Sequence, residues 1–233
     1  MFPRSDTNLG PALLTKELWF PNPASASVDG FVALGGDLST PRLLLAYRSG
    51  LFPWTVDPVT WWSPDPRAVL ELDEFHVPRS LARTIRKGLF RMTMNCAFEE
   101  VINHCGSAHS GGSWITPEFV AAYTALHRAG HAHSLECWQK DQLVGGIYGV
   151  AIGGFFAGES MFYRVSDASK VALYYLVAHL RQRGFVLLDI QMVTPITARL
   201  GAHTISRQEY LVRLQKAIRL PRSFRAEGSV EKG

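Results

Sequence analysis

Residues 133–162 read HSLECWQKDQLVGGIYGVAIGGFFAGESMF. Apolar, β-branched and aromatic residues dominate the run. Two dipeptides, Lys140-Asp141 and Gly153-Gly154, break it into three strands joined by tight turns. Strands that follow one another through such short turns pair antiparallel. The run closes on Glu159, a carboxylate at the end of an apolar strand with a helix starting a few residues later.

Working outward, regular elements alternate from Ala68 onward. AVLELD reads as a strand and PRSLARTIRKG as a helix stopped by Gly88. FRMTMNC is a strand and FEEVINHCG a helix. Thr116 caps a helix that begins at Pro117, with Phe119, Val120, Tyr123 and Leu126 on one face and Gly130 after its end. Ser166 is placed to cap ASKVALYYLVAHLRQRG, FVLLDIQ is a short buried strand, and Ser206 with Glu209 forms a capping box before EYLVRLQKAI. The C-terminal region is therefore α+β, with a mostly antiparallel sheet flanked by helices. Residues 1–66 differ in texture. Ser39 or Thr40 can cap a helix with Pro41 in its first turn, buried through Leu43, Leu44 and Tyr47 and ended by Gly50. The segment FPWTVDPVTWWSPDPR then crowds prolines and tryptophans, which predicts an ordered loop or linker rather than a central strand. Two domains are expected, residues 1–66 and residues 67–233.

The chain has 233 residues, 47% of them hydrophobic and 19% charged, a globular composition. MFPRSDTNLG lacks the apolar core of a secretory signal. The longest nearly uncharged stretch, from Leu143 to Gly158, is shorter than the ~20 residues a membrane span needs and is rich in glycine. Cys96, Cys105 and Cys137 form no CxxC pair and fit reduced thiols. A cytoplasmic protein with no membrane association is expected. Net charge is +4. Arg79, Arg83, Arg86 and Lys87 fall at i, i+4, i+7 and i+8 of one helix, a single basic face that suits either phosphates or plain solvation.

Familiar metal and nucleotide motifs are absent, and His131 with His133 supplies too few ligands for a closed metal site. What remains is polar residues at strand ends. Glu159 follows FFAG, and Asp189 and Gln191 stand two apart in LLDIQ, on one face of their strand. A buried carboxylate needs a partner. Either these acids are paired structurally, with Arg164, Lys170 or a backbone amide, or they face a ligand cavity. Trp114, in a glycine-rich loop, either caps the core or offers its face to a nucleobase.

The motifs VALGGDLSTPRLLLAYRSGLFPW, WWSPDPRAVL, SWITPEFVAAY, GHAHSLECW, LVGGIYGV, GESMFYRVSDASKVAL and LLDIQ occur in one order, from about residue 20 to residue 215. Together they resemble the bacterial leucyl/phenylalanyl-tRNA–protein transferases. The resemblance implies a small N-terminal domain and a C-terminal domain like the Gcn5-related N-acetyltransferases. It implies transfer of Leu or Phe, less readily Met, from aminoacyl-tRNA to proteins with N-terminal Arg or Lys, feeding N-end rule degradation without metal or cofactor. Carried over residue by residue, it places Glu159, Asp189 and Gln191 at the reaction centre. Tyr47, Trp54, Trp114 and Tyr123 would hold the aminoacylated adenosine. Ile147, Phe156, Leu173, Leu176, Leu188 and Ile190 would wall the side-chain pocket, and Arg79, Arg83, Arg86 and Lys87 would meet the tRNA. Two alternatives stand beside it. A CoA-dependent N-acetyltransferase should carry a Q/R-x-x-G-x-G/A loop, and RQRGFV from Arg181 lacks its second small position. A non-catalytic RNA-binding module explains the basic helix and Trp114 but not Glu159, Asp189 and Gln191.

Overall fold

The three hairpin strands lie together in the larger of two sheets. In this computed structural model, which describes residues 11–107 and 114–225, they are β7 (Ala132–Gln139), β8 (Gln142–Ile152) and β9 (Phe155–Tyr163), if the six earlier strands are counted in chain order. Lys140 and Asp141 both take positive φ, 48° and 60°, the twist a two-residue hairpin turn demands. The first ten residues, the Gly-Gly-Ser run before Trp114 and the polar tail from residue 226 lie outside the described residues.

The N-terminal part holds β1 (Ala12–Leu14), β2 (Phe31–Gly35), helix α1 (Thr40–Arg48), β3 (Phe52–Val56) and β4 (Val59–Trp62). Its sheet runs in the order β1-β2-β4-β3. The proline- and tryptophan-rich segment is thus a strand pair and not the loop its prolines suggest. Pro53 sits in β3, at the sheet edge, where a missing N–H is tolerated, and the inner strand β4 contains no proline. Ser39 occupies the N-cap of α1 without a side-chain bond. The nearby turn is instead fastened by Asp37, whose carboxylate accepts the Ser39 N–H at 2.9 Å.

Next come β5 (Arg67–Leu70), α2 (Arg79–Arg86), β6 (Arg91–Met94), α3 (Phe98–Ser107) and α4 (Pro117–Arg128), and after β9 come α5 (Ala168–Gln182), β10 (Leu187–Gln191), a short α6 (Pro195–Ala198), β11 (His203–Ile205) and α7 (Arg207–Ala217). The second sheet is seven-stranded in the order β11-β5-β10-β9-β8-β7-β6. Within it β9 and β10 pair parallel, as β1 and β2 do in the first sheet, and α5 makes the crossover between β9 and β10. The expected α+β class, with mostly antiparallel strands flanked by helices, is the one observed. Two helix starts differ from expectation. Asp167, not Ser166, stands at the N-cap of α5, and its carboxylate binds Lys170 and the Thr84 hydroxyl rather than helix N–H groups. Thr116 bonds Glu118 and makes no backbone cap. Ser206 does cap α7, accepting the Glu209 N–H.

One face of the large sheet is covered by α5 and α2 through Leu81, Leu173, Leu176 and Leu180. The other is covered by α3, α4 and α7 through Val101, Phe119, Tyr123 and Tyr210, in a cluster that also takes in Tyr47, Phe52 and Trp61 of the N-terminal part. Both sheets therefore share one apolar core. Gly50 lies at that junction with φ +82°, and a Cβ there would come within 2.6 Å of Leu211 on α7. A Gly50→Ala variant should lose at least the ~1–2 kcal/mol of a left-handed L-residue. Denaturant unfolding should show a lower midpoint at unchanged slope.

Candidate active site

Glu159 and Gln191 meet because two strands slip out of register. In the β8–β9 ladder Tyr148 faces Ser160 and Gly149 faces Gly158, so Glu159 is the extra residue of a bulge. Gly149 is bare for the same reason, since a Cβ there would lie 2.1 Å from the Ala157 carbonyl oxygen. In the β5–β10 ladder the register shifts between Asp189 and Gln191, and Gln191 adopts φ +56°. Such a conformation costs a non-glycine residue of the order of 1–3 kcal/mol and persists only when neighbours hold it. The side-chain amide of Gln191 donates to Glu159 Oε1 at 3.1 Å.

On its other oxygen Glu159 accepts the Tyr123 hydroxyl at 3.2 Å. Tyr123, from α4, is in turn hydrogen-bonded to Tyr47 of α1, and both rings are fully buried. With Tyr123 donating to the carboxylate, Tyr47 donates to Tyr123, so a directed chain runs Tyr47, Tyr123, Glu159. Burial pushes the Glu159 carboxyl up to about 7. The tyrosine hydroxyls and Arg67 pull it back, and the charge of Asp189 adds to the rise. Burial, with the Glu159 charge next, likewise holds both phenols well above their usual range.

Asp189 is wholly buried and its partner is Arg67, the first residue of β5. Arg67 Nε donates to Oδ1 at 2.9 Å and Nη2 to Oδ2 at 2.6 Å. Tyr210 of α7 donates to Oδ2 at 2.8 Å, and the Gln191 backbone N–H donates to Oδ1 at 2.9 Å. Burial alone would lower the Arg67 pKa, but the charge of Asp189 overrides it and raises it. Of the partners suggested by sequence, a backbone amide is used, that of Gln191, and the two cations are not. Lys170 pairs with Asp167, and Arg164 is exposed beside His104. Arg67 and Tyr210 were missed because they lie 122 and 21 residues from Asp189. The available signal was an arginine opening an otherwise apolar strand.

Beside Glu159 and Gln191 opens a pocket of about 100 Å³, lined by Phe52, Pro53, Trp54 and Trp114, with Met192 completing it. Trp54 and Trp114 are half-buried. Trp114 stands edge-on to Phe119, with centroids 5.2 Å apart. A wider cleft of about 600 Å³ borders α3 and α4 through Asn103, Thr116 and Arg128, but it contains none of the residues of this polar centre. The six apolar residues assigned to a side-chain pocket do not line the aromatic one. Ile147, Phe156, Leu173, Leu176 and Leu188 are buried in the cluster beneath α5, and Ile190 packs against it half-buried. Arg79, Arg83 and Arg86 project from α2 into solvent with Lys87 just beyond, while Leu81 faces inward. RQRGFV forms the end of α5 and the turn after it, where Arg183 binds the carbonyls of Ser223 and Arg225. Helix N-termini, not C-termini, hold phosphates. Among the described residues no group of three or more His, Cys, Asp or Glu could hold a metal, and no helix is long and apolar enough to cross a membrane.

A carboxylate pushed up by burial, an amide held beside it and an aromatic pocket make a candidate catalytic centre. Sequence comparison narrows this. The family described as leucyl/phenylalanyl-tRNA protein transferase matches residues 69–215, and its N-terminal domain matches residues 36–65. A leucyl/phenylalanyl-tRNA–protein transferase of Magnetococcus marinus is 54% identical over 210 residues, 87% of this chain and 89% of that one. One from an Anaeromyxobacter species is 51% identical over 213 residues, 89% and 91% of the two chains. The chain belongs to this family of aminoacyltransferases. Among solved structures, a GCN5-related N-acetyltransferase from Kribbella flavida overlays with TM-score 0.42 and 14% identity, covering 70% of this chain and 60% of that one.

The elevated Glu159 gives a signed pH dependence. Its ordinary value is 4.5 and its folded value about 7. Below pH 4.5 both states are protonated and the group is neutral to stability; above pH 7 the folded state carries the full penalty of a buried charge. Relative to a Glu159→Gln variant, stability should therefore fall as pH rises from 4.5 to 7 and level off beyond. Denaturant unfolding at pH 5, 6, 7 and 8 checks this, and a flat difference contradicts it.

Proposed function

We propose that the protein transfers Leu or Phe, and less readily Met, from aminoacyl-tRNA to the α-amino group of proteins beginning with Arg or Lys, marking them for N-end rule degradation. The observation that carries this reading is the aromatic pocket opening onto Glu159 and Gln191 in a chain of this family. On this reading the work is done in the cytoplasm, with charged tRNA and polypeptide as the two partners.

The aminoacyl ester is already activated, so the principal task is to hold it against the amine, worth ~7–11 kcal/mol in oriented systems. Trp54 and Trp114 receive the terminal adenosine by stacking. The apolar cluster of Ile147, Phe156, Leu173, Leu176, Leu188 and Ile190 opens to admit the amino-acid side chain. Discrimination there is worth only ~1–3 kcal/mol per methylene, which explains leakage to Met. The α-amine must lose a proton before it attacks. Its pKa of about 8 lies close to that of Glu159, so the carboxylate can take that proton at little cost. Gln191 spends its amide N–H on Glu159, which leaves its carbonyl oxygen to accept an N–H of the neutral amine. Nitrogen then bonds to the ester carbonyl, the bond to the ribose oxygen breaks, and the amine's second departing proton ends on that oxygen.

Arg79, Arg83, Arg86 and Lys87 contact acceptor-stem phosphates. Binding of tRNA should weaken with salt, and an R83E/R86E variant should lower the slope of log K against log salt by about 1–2. Purified protein given tRNA charged with labelled Leu or Phe should label the N-terminus of an Arg-initiated peptide, and labelled acetyl-CoA should not. Gln191→Ala should reduce turnover by about 100-fold or more, in the range seen when one preorganised catalytic hydrogen-bonding group is removed, while tRNA binding stays within twofold. Label arriving only from acetyl-CoA overturns the assignment.

A further inference from the structure

We propose that Arg67 and Tyr210 are positioning residues for transfer, which hold Asp189 as a structural anchor for Gln191 and leave it no part in moving protons. The proposal rests on the reading that Gln191 receives the amine. A carboxylate offers about four lone-pair sites. On Asp189 all four are taken, by Arg67 Nε and the Gln191 backbone N–H on Oδ1, and by Arg67 Nη2 and the Tyr210 hydroxyl on Oδ2. The side chain of Asp189 is 0% exposed and that of Arg67 1%. No acceptor capacity and no access remain for a substrate proton.

What Asp189 does instead is visible in the backbone. Its Oδ1 grips the Gln191 N–H where the strand slips register and φ turns positive. Without that grip the positive φ and the register shift at Gln191 lose the bond that holds them, and the side chain loses the pose that meets Glu159. Arg67 also reaches the donor side of the site. Its guanidinium lies over the ring of Phe52, at 4.8 Å, and over that of Tyr210, at 4.5 Å, and Nη1 donates to the Gly50 carbonyl at 3.4 Å. Phe52 lines the pocket. One buried cation thus sets both the aromatic wall and, through Asp189, the pose of the reacting amide.

Tyr210→Phe is the cleanest test. It removes one donor to Asp189 and keeps the ring over Arg67. The expected result is a fall in kcat of about 10-fold or more with KM for charged tRNA within twofold, because the phosphate and adenosine contacts are untouched. The Gln191 side-chain amide resonances, assigned by their loss in Gln191→Ala, should shift in the parent as Glu159 titrates and should lose that shift in Tyr210→Phe. Arg67→Lys, which cannot form the two-pronged pair, should do the same more strongly and serves if Tyr210→Phe folds poorly. Unchanged kcat and unchanged amide resonances overturn the proposal. So does a variant whose kcat falls only in step with a rising KM and a lowered melting temperature. If the parent transfers nothing while the amide signature still vanishes in the variant, the functional reading fails and the anchor stands.

Discussion

The buried pair of Arg67 and Asp189 is the interaction on which the rest of the structure depends. Two charges taken out of water are stabilising only when their geometry is good and every remaining site is filled, and here a tyrosine hydroxyl and a backbone N–H fill what the guanidinium leaves. The pair also joins three parts of the chain. Arg67 opens the strand that follows the N-terminal sheet, Asp189 lies in a strand of the large sheet, and Tyr210 sits on α7. Removing either charge would strand the other in an apolar interior, a loss of roughly 3–5 kcal/mol for buried pairs in general. Arg67 and Asp189 lie on neighbouring strands of the large sheet, and the guanidinium reaches the N-terminal part through the Phe52 ring at 4.8 Å and the Gly50 carbonyl at 3.4 Å, where the pocket meets the polar centre.

At that pair the two neighbouring carboxylates have different surroundings. Asp189 is saturated with donors, one of them cationic. Glu159 receives only neutral donors, from Tyr123 and Gln191, and its burial pushes it up to about 7. The two acids share a site but not their partners, the setting in which environment can give neighbouring carboxylates different tasks.

Much of this was legible in the sequence. The three strands from Ala132 to Tyr163 are readable because two turn dipeptides break one long apolar and aromatic run, and the polar residues of the apolar strands, Glu159, Asp189 and Gln191, do converge in space, although Glu159 lies inside β9 and not at the strand end its sequence suggests. The remainder was hidden for identifiable reasons. Strands β3 and β4 were obscured by proline, since sequence does not reveal that Pro53 would stand at an edge. The three-residue strands β1 and β11 are too short to show a period. Ser166 looked a better cap than Asp167 because local propensity cannot see Thr84 and Lys170 competing for the Asp167 carboxylate. The partner of Asp189 was invisible because a contact across 122 residues leaves no local trace. The bulge at Glu159 and the left-handed Gln191 depend on tertiary bonds that no window of sequence contains.

The most direct test of the account is a crystal structure with an amide-linked, uncleavable analogue of phenylalanyl-adenosine. The account predicts adenine against Trp54 and Trp114, the acyl carbonyl beside Gln191 and Glu159, the phenylalanine ring entering the cluster beneath α5, and Gln191 still at positive φ with its N–H on Asp189. An analogue seated in the cleft between α3 and α4, or a Gln191 that swings to an extended conformation when the pocket fills, would contradict it.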